Sequence, residues 1–571
     1  MNQLKEYLSI TVALAMTAVA MPVEARVQLP QVLSSGMIVQ REAPVKLWGT
    51  ADPGETVLVK VTDSRKKTVG ARKGVTVVAG DDGKWSVELP ALKAGGPYTV
   101  TINDVTLDDV LSGDVLICSG QSNMELPVSR VTDMFADEIA AYSSNEVRQY
   151  YLPREVEFHA PLEDTKPASW KPCTPENVMK FSALGYFVAK DLNARTGVPV
   201  GIISANWGGT PVEAWISEES LEAFPRAVNE KRIYEDDAYR AHVKKVEGEN
   251  YARWYGVLYD GDPGLHGDKK WYDADLDDSG WAVVDILKGT ITDGTVTGED
   301  LHNGWTGNQW ASDGLNPVNG SHWFRKNVNL TAEQAGKPAV LRLGCIVDAD
   351  SVYVNGTFVG TTSYQYPPRI YNVPAGVLKE GVNNVTVRLF SQNGKGSFVP
   401  EKPYKIILGN GDEVSLEGEW RYRLGAPMVH GPGMEFWAYK PTVLYNSMIH
   451  PLSKLPVAGV VWYQGESNVS RRNEYGPLLK TMIADWRKSF NDGSMPFYIV
   501  ELADFMHPSD KRGRAAWAEM RKVQAEVADS TPDAVLIHNS DLGEWNDIHP
   551  LDKKTLGGRV VDAIVARSNK K

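Results

Sequence analysis

The sequence predicts a mixed α/β chain: a parallel sheet covered by helices, with one β-sandwich ahead of it and another interrupting it. Three observations carry that expectation. Short unbroken apolar runs alternate with amphipathic stretches in two separate regions, the pattern of buried parallel strands and their crossover helices. Strands of alternating polarity, separated by Gly and Asp turns, fill the first hundred or so residues. The same alternation returns in mid-chain, after which the strand–helix pattern resumes.

Taken in order, residues 1–25 read as an export signal. Lys5 is the lone basic residue, an apolar run extends from Leu8 to Met21, and Val23-Glu24-Ala25 resembles a small-residue cleavage site. The run falls short of the ~20 apolar residues a bilayer span needs, and no later stretch is long enough. The expectation is an exported protein, periplasmic or extracellular, with no membrane span in the mature chain; a retained anchor is the alternative. Residues 26–108 are expected to form the first sandwich, from Val45-Lys46-Leu47-Trp48-Gly49, Thr56 to Val61 and Tyr98 to Ile102, divided by turns such as Gly80-Asp81-Asp82-Gly83.

Residues 109–261 hold the first part of the α/β domain. Val115-Leu116-Ile117-Cys118 has the continuous apolar character of a strand buried on both faces. Phe181 to Arg195 spaces Leu184, Phe187, Val188 and Leu192 as a helix does, and Val200-Gly201-Ile202-Ile203 is the next strand. Residues 262–427 return to β character, with strands at Trp323 to Lys326, Val352 to Val354 and Val385 to Phe390, and a hairpin signal at Asn355-Gly356. Residues 428–571 resume the α/β domain. Strands are expected at Val460 to Tyr463, Phe497 to Val500 and Val535 to Ile537, and helices at Tyr475 to Phe490, Ala515 to Val527 and Leu551 to Arg567. The second sandwich therefore interrupts one domain, as insertions at surface loops can.

A chain of 571 residues with 42% hydrophobic and 23% charged residues is globular in composition. Its net charge of −12 gives no electrostatic footprint for nucleic acid or anionic lipid. Seventeen Trp and 23 Tyr suit sugar sites, where flat rings stack on pyranose faces, although core packing accounts for most of them. Three cysteines do not make a disulfide framework, and no zinc-ligand spacing occurs.

Four segments carry chemistry: Ser119-Gly120-Gln121-Ser122-Asn123-Met124, Gly208-Gly209-Thr210, Gly465-Glu466-Ser467-Asn468 and Asp547-Ile548-His549-Pro550. Each follows the C-terminal end of an expected buried strand, the edge at which open α/β sheets build their sites. Ser122, lifted by a glycine turn, is the candidate nucleophile; a helix-capping serine is the plain alternative. A serine hydroxyl needs a base, and among ten histidines His549 fits best, with Asp547 two residues before it to hold the imidazole. His538 is second. The oxyanion of an acyl-transfer intermediate needs donors, and the Ser122 N–H, a Gly209 N–H and the Asn468 amide are suitable types.

These segments, with Trp462-Tyr463-Gln464-Gly465-Glu466-Ser467-Asn468 and Pro441 to Ile449, resemble the sialate O-acetylesterase family, itself similar to the SGNH hydrolases. The resemblance implies a flavodoxin-like three-layer α/β/α domain over about 110–255 and 430–565. It also implies Ser122 as nucleophile, His549 as base, and Gly209 and Asn468 in the oxyanion hole, with Gly208 as an alternative donor. Gln121, Gln464 and Glu466, inside the matching motifs, are expected to bind substrate. The acid stays open: the SGNH pattern has Asp three residues before His, here Asn546, so Asp547, Asp541 or a backbone carbonyl orients His549. The inserted sandwich resembles the jelly-roll sugar-binding domains of glycosidases, through Trp271, Asp278-Ser279-Gly280-Trp281, Trp323-Phe324-Arg325 and Val354-Asn355-Gly356.

The implied activity is hydrolysis of O-acetyl esters of sialic acid through an acyl-serine, with no metal or cofactor. The partner is an O-acetylated sugar, not nucleic acid. Acetylxylan or another acetylated polysaccharide is the alternative substrate, and a non-catalytic glycan-binding protein is the alternative from another class. A basic residue in the pocket would favour the sialate carboxylate. The sequon Asn468-Val469-Ser470 is expected to be unmodified, because a glycan there would obstruct the assigned donor.

Overall fold

The computed structural model describes residues 27–287, 290–291, 319–393, 396–508 and 510–569. The expected export signal lies outside them, as does His302, one of the ten histidines. A seven-strand path forms the central sheet. Across it run Trp170–Cys173, Ser144–Tyr151, Val200–Asn206, Val105–Gly120, Gly459–Tyr463, Phe497–Val500 and Ala534–Ile537. All neighbours are parallel except the edge strand Trp170–Cys173. The chain builds one side of Val105–Gly120 first and crosses to the other side only at Gly459, so the strand order switches at the end of Val105–Gly120. Such a switch point opens a crevice above the sheet.

The apolar runs form these strands because both faces are covered: Leu116, Ile117 and Cys118 are fully buried, as are Val460, Val461 and Trp462. Helix Ala183–Thr196 starts at Ser182, whose Oγ accepts the Gly185 N–H, and ends at Gly197 with φ 65°. It packs on Val200–Asn206 and on the last helix, Lys553–Ser568; Arg472–Ser489 packs on Lys511–Ser530.

Two strands fall outside the expectation. Ser144–Tyr151 and Trp170–Cys173 carry too many polar residues to read as buried. Arg148 is nonetheless buried, because its guanidinium donates to the Gly36 and Asp109 carbonyls at 2.7 Å each. The break expected after residue 108 is also absent. Val105–Gly120 is one strand: its first half pairs with Gly95–Ile102 and its second with Val200–Asn206 and Gly459–Tyr463. One apolar core continues across it.

The middle of the chain has its own core. A seven-stranded antiparallel sheet, including Asn319–Leu330, Gly381–Ser391 and Ala349–Val354, shares buried Phe324, Leu341, Val352, Leu389 and Ile406 with a four-stranded sheet that includes Ala339–Leu343 and Tyr404–Ile407. Asn355 and Gly356 turn the Ala349–Val354/Thr357–Thr362 hairpin at φ 49° and 80°, as a type I′ turn requires. This unit seats on the central sheet through Lys402, which pairs with Glu544 at 2.8 Å and Asp547 at 3.3 Å, and through the Asn546 amide on the Pro400 carbonyl at 2.8 Å. No helix among the described residues is long and apolar enough to cross a membrane.

Candidate active site

Ser122 owes its position to a glycine that nothing else can replace. Gly120 ends its strand at φ 132°, and a Cβ there would lie 2.1 Å from the Tyr463 carbonyl of the neighbouring strand. That carbonyl instead accepts the Gln121 N–H at 3.1 Å, and the chain turns at once into the short helix Ser122–Glu125. The turn lifts the Ser122 hydroxyl to the sheet edge, where its Oγ meets His549 Nε2 at 2.8 Å.

His549 arrives from the far end of the chain, beyond strand Ala534–Ile537. Its ring is buried and meets the Tyr366 ring edge-on, with centroids 5.1 Å apart. Burial first, then the nearby charges of Lys553 and Arg130, push the imidazole down to about 3. It is therefore neutral near neutral pH and free to take a proton.

The carboxylates around His549 differ from the expectation. Asp547 Oδ1 accepts the backbone N–H of His549 at 2.9 Å and stays 3.7 Å from Nδ1, while Oδ2 faces Lys402. Nδ1 has no hydrogen-bond partner among the described residues. Asp547 thus shapes the turn and lies beside the imidazole without bonding to it. Asp541 is drawn away by Arg559, which holds both its oxygens at 2.6 and 2.7 Å. His538 is exposed, 3.6 Å from Glu501, and takes no part in the site.

Behind the serine lies a buried polar cluster. Asn123 donates through Nδ2 to Glu466 Oε1 at 2.7 Å and to the Ile548 carbonyl at 2.8 Å, and its Oδ1 accepts from Lys553 Nζ at 2.8 Å. Burial raises the Glu466 carboxyl above its ordinary range. Burial also pushes the Lys553 ammonium down to about 7, against the pull of Glu466 and Asp547.

The expected oxyanion donors divide. Gly209, at φ 77°, lines the cleft, and a Cβ there would strike the Tyr439 hydroxyl at 1.7 Å. Neither its N–H nor that of Ser122 has an acceptor among the described residues. The Gly208 N–H is engaged by Glu125 Oε2 at 2.7 Å. Asn468 departs from its expected role. It is fully buried away from the cleft: its Nδ2 donates to Glu213 Oε2 at 2.9 Å, and its Oδ1 accepts from the Val212 N–H and Gln464 Nε2. Reversing the amide would set Oδ1 against a carboxylate and Nδ2 against two donors, so the orientation is fixed. Gln464 is likewise framework rather than a substrate ligand, donating to Gln121 Oε1, the Thr210 carbonyl and Asn468. Gln121 borders the cleft, but its Oε1 is held by Gln464 and the Ser467 N–H. Glu466 also borders the cleft, but its Oε1 is held by Asn123 and its Oε2 is buried without a partner among the described residues.

The cleft over Ser122 has a volume of about 2120 Å³. That exceeds the roughly 300–1,000 Å³ of a pocket for one small ligand. Its walls include Arg130, Arg154, Trp207, Tyr439 and, from the inserted unit, Tyr364 to Tyr366. Sequence reasoning did not find Arg130, Tyr366 or Lys553, since none falls in a motif. The sequence carried only the general expectation that a basic residue in the pocket would favour a sialate carboxylate, and no local pattern placed it.

A serine–imidazole pair at the switch point of a parallel sheet, beneath a wide cleft, defines the class: a mixed α/β protein with the nucleophile and base of a hydrolase side by side. The crystal structure of a carbohydrate acetylesterase from Xanthomonas citri matches in fold over 94% of this chain and 74% of that one, with a TM-score of 0.52 and 23% identity. Residues 427–565 match the model of the family described as carbohydrate esterase, sialic acid-specific acetylesterase. The sialate O-acetylesterase of Mus musculus is 30% identical over 557 residues, 92% of this chain and 70% of that protein. Those of Pongo abelii and Homo sapiens are 34% and 32% identical over 209 residues, and each alignment spans only 39% of the relative's length. The chain belongs to the sialate O-acetylesterase family.

Proposed function

We propose that this chain is an exported serine esterase that removes O-acetyl groups from sialic acid. The observation that carries the reading is the 2.8 Å contact between Ser122 Oγ and a buried, neutral His549 Nε2 at the floor of a wide cleft. Ser122 Oγ attacks the acetyl carbonyl carbon as its proton passes to Nε2. The oxyanion forms against the Ser122 and Gly209 N–H groups, which have no other acceptor among the described residues. Collapse releases the sugar hydroxyl with the proton from Nε2 and leaves acetyl-Ser122. Water then attacks this ester, giving a proton to Nε2; the bond from the acyl carbon to Oγ breaks, Nε2 returns the proton to Ser122 Oγ, and acetate leaves. Asp547 stabilises the imidazolium from 3.7 Å as its electrostatic partner.

The same reading takes the central sheet and its helices as an SGNH domain of three-layer, flavodoxin-like form, divided into 109–261 and 428–571. Residues 26–108 are a β-sandwich extension that shares the strand Val105–Gly120 with this domain, and 262–427 a jelly-roll insertion. An amino-terminal signal over residues 1–25 directs export to the periplasm or outside the cell.

The test is acetate release from O-acetylated sialic acid. Ser122→Ala and His549→Ala are each expected to lose at least about 10³-fold, within the range of nucleophile and base contributions. Wild-type rates in Ser122→Ala overturn the assignment.

A further inference from the structure

We propose that Arg130 is the subsite for a carboxylate on the substrate, so that the cleft selects acetylated acidic sugars over neutral ones. The inference rests on the esterase reading and deepens it.

The other cations that line the cleft are paired or exposed. Arg154 is paired with Glu125. Arg226 and Arg471 share Glu213, and Lys440 holds Glu435 at 2.6 Å. Lys171 and Lys180 are exposed at the rim and solvated. Arg130 is different. No carboxylate among the described residues pairs with it, its Nε is buried without a partner, and its Nη2 makes only a 3.3 Å contact to the Tyr366 carbonyl. A guanidinium carries five donors in a planar fork matched to a carboxylate, and a buried donor left unmade is costly.

The position fits the reaction. Arg130 closes the short turn Val128–Arg130, which is anchored by the Val128 N–H on the Phe181 carbonyl at 2.9 Å and the Ser129 N–H on the Met179 carbonyl at 3.1 Å. Through the Tyr366 backbone it adjoins the ring that packs on His549. A sugar with its acetyl ester at Ser122 therefore has a cation beside it on the same wall. Acids of the site are held by other groups: Glu125 by Arg154 and the Gly208 N–H, Glu213 by two arginines and Asn468, and Asp547 by Lys402. A xylan chain has no carboxylate on its backbone sugars to offer this group; a sialic acid or an acetylated uronic acid has one.

The experiment compares kcat/KM for O-acetylated sialic acid with that for its 1-carboxamide, which has the same shape and no charge. In the wild-type protein the acid is expected to be favoured by roughly 10–100-fold, the range of a hydrogen-bonded charge. In Arg130→Gln the ratio is expected to fall to about one, and in Arg130→Lys to an intermediate value, as a point charge replaces a fork. A ratio cancels any loss of folded protein. A wild-type ratio near one, or one unchanged in Arg130→Gln, overturns the subsite while the esterase reading stands. Failure of the wild-type protein to hydrolyse an aryl acetate in a Ser122-dependent way removes the esterase reading, and the subsite with it.

Discussion

Asn123 follows the nucleophile directly and touches three other parts of the chain: Glu466, the Ile548 carbonyl and Lys553. The contact with Lys553 is buried and the other two are partly buried, so all three are stronger than at the surface and more costly to lose. The Ile548 contact matters most, because that carbonyl belongs to the residue before His549. Asn123→Ala is expected to destabilise the fold by about 1–3 kcal/mol through the stranded partners and to lower kcat more than it raises KM, because His549 loses its tether. An unchanged kcat with only a lowered melting point would leave Asn123 a purely structural residue. His549 itself makes a pH prediction. The base works when neutral, and activity falls as pH drops through its pKa. Burial and two neighbouring cations place that value below the 6.5 of an unperturbed histidine. The acid limb of kcat/KM is therefore expected below pH 6.5, with activity retained where an exposed histidine would be protonated; a midpoint at or above 6.5 contradicts the assigned environment.

The elements that carry the site were legible where burial is two-sided. Val115 to Cys118, Val460 to Tyr463 and Phe497 to Val500 are unbroken apolar runs because helices cover both faces of those strands. The glycines before and between them were legible for the same reason, since only Gly120 lets the sheet bring Tyr463 so close. Gly120→Ala should force the Cβ onto that carbonyl and strain the turn by about 1–3 kcal/mol from the backbone angle alone. Thermal unfolding should begin at a lower temperature, and the serine should lose reactivity at temperatures where the protein is still folded. Strand Ser144–Tyr151 was illegible, because its buried Arg148 is satisfied by carbonyls distant in sequence. Helix Asp237–Asp260 was equally hidden: of its 24 residues only Trp254 and Leu258 are buried apolar, too few to make a helical stripe. Asn468 shows the converse. Its motif is easy to read, yet a buried Glu213 from another segment claims its amide, and no local pattern announces that.

At the scale of the whole molecule the inserted unit is part of the site. Lys402 draws the Asp547 side chain toward itself, and Tyr366 covers His549, so a unit with its own core forms one wall of the cleft. Lys402→Met is expected to free Asp547 and loosen the wall. The measurable result is a changed kcat with the acid limb of the pH profile displaced, and no effect on kcat or the limb would make the insertion a bystander. The account depends on a hydroxyl and an imidazole, 427 positions apart, acting as one reactive pair. The most direct measurement is covalent labelling by a fluorophosphonate, with the modified residue located by mass spectrometry. The account predicts a single adduct on Ser122 in the wild-type protein, slowed by orders of magnitude in His549→Ala. An adduct on another residue, or one on Ser122 that forms equally fast without His549, would contradict it.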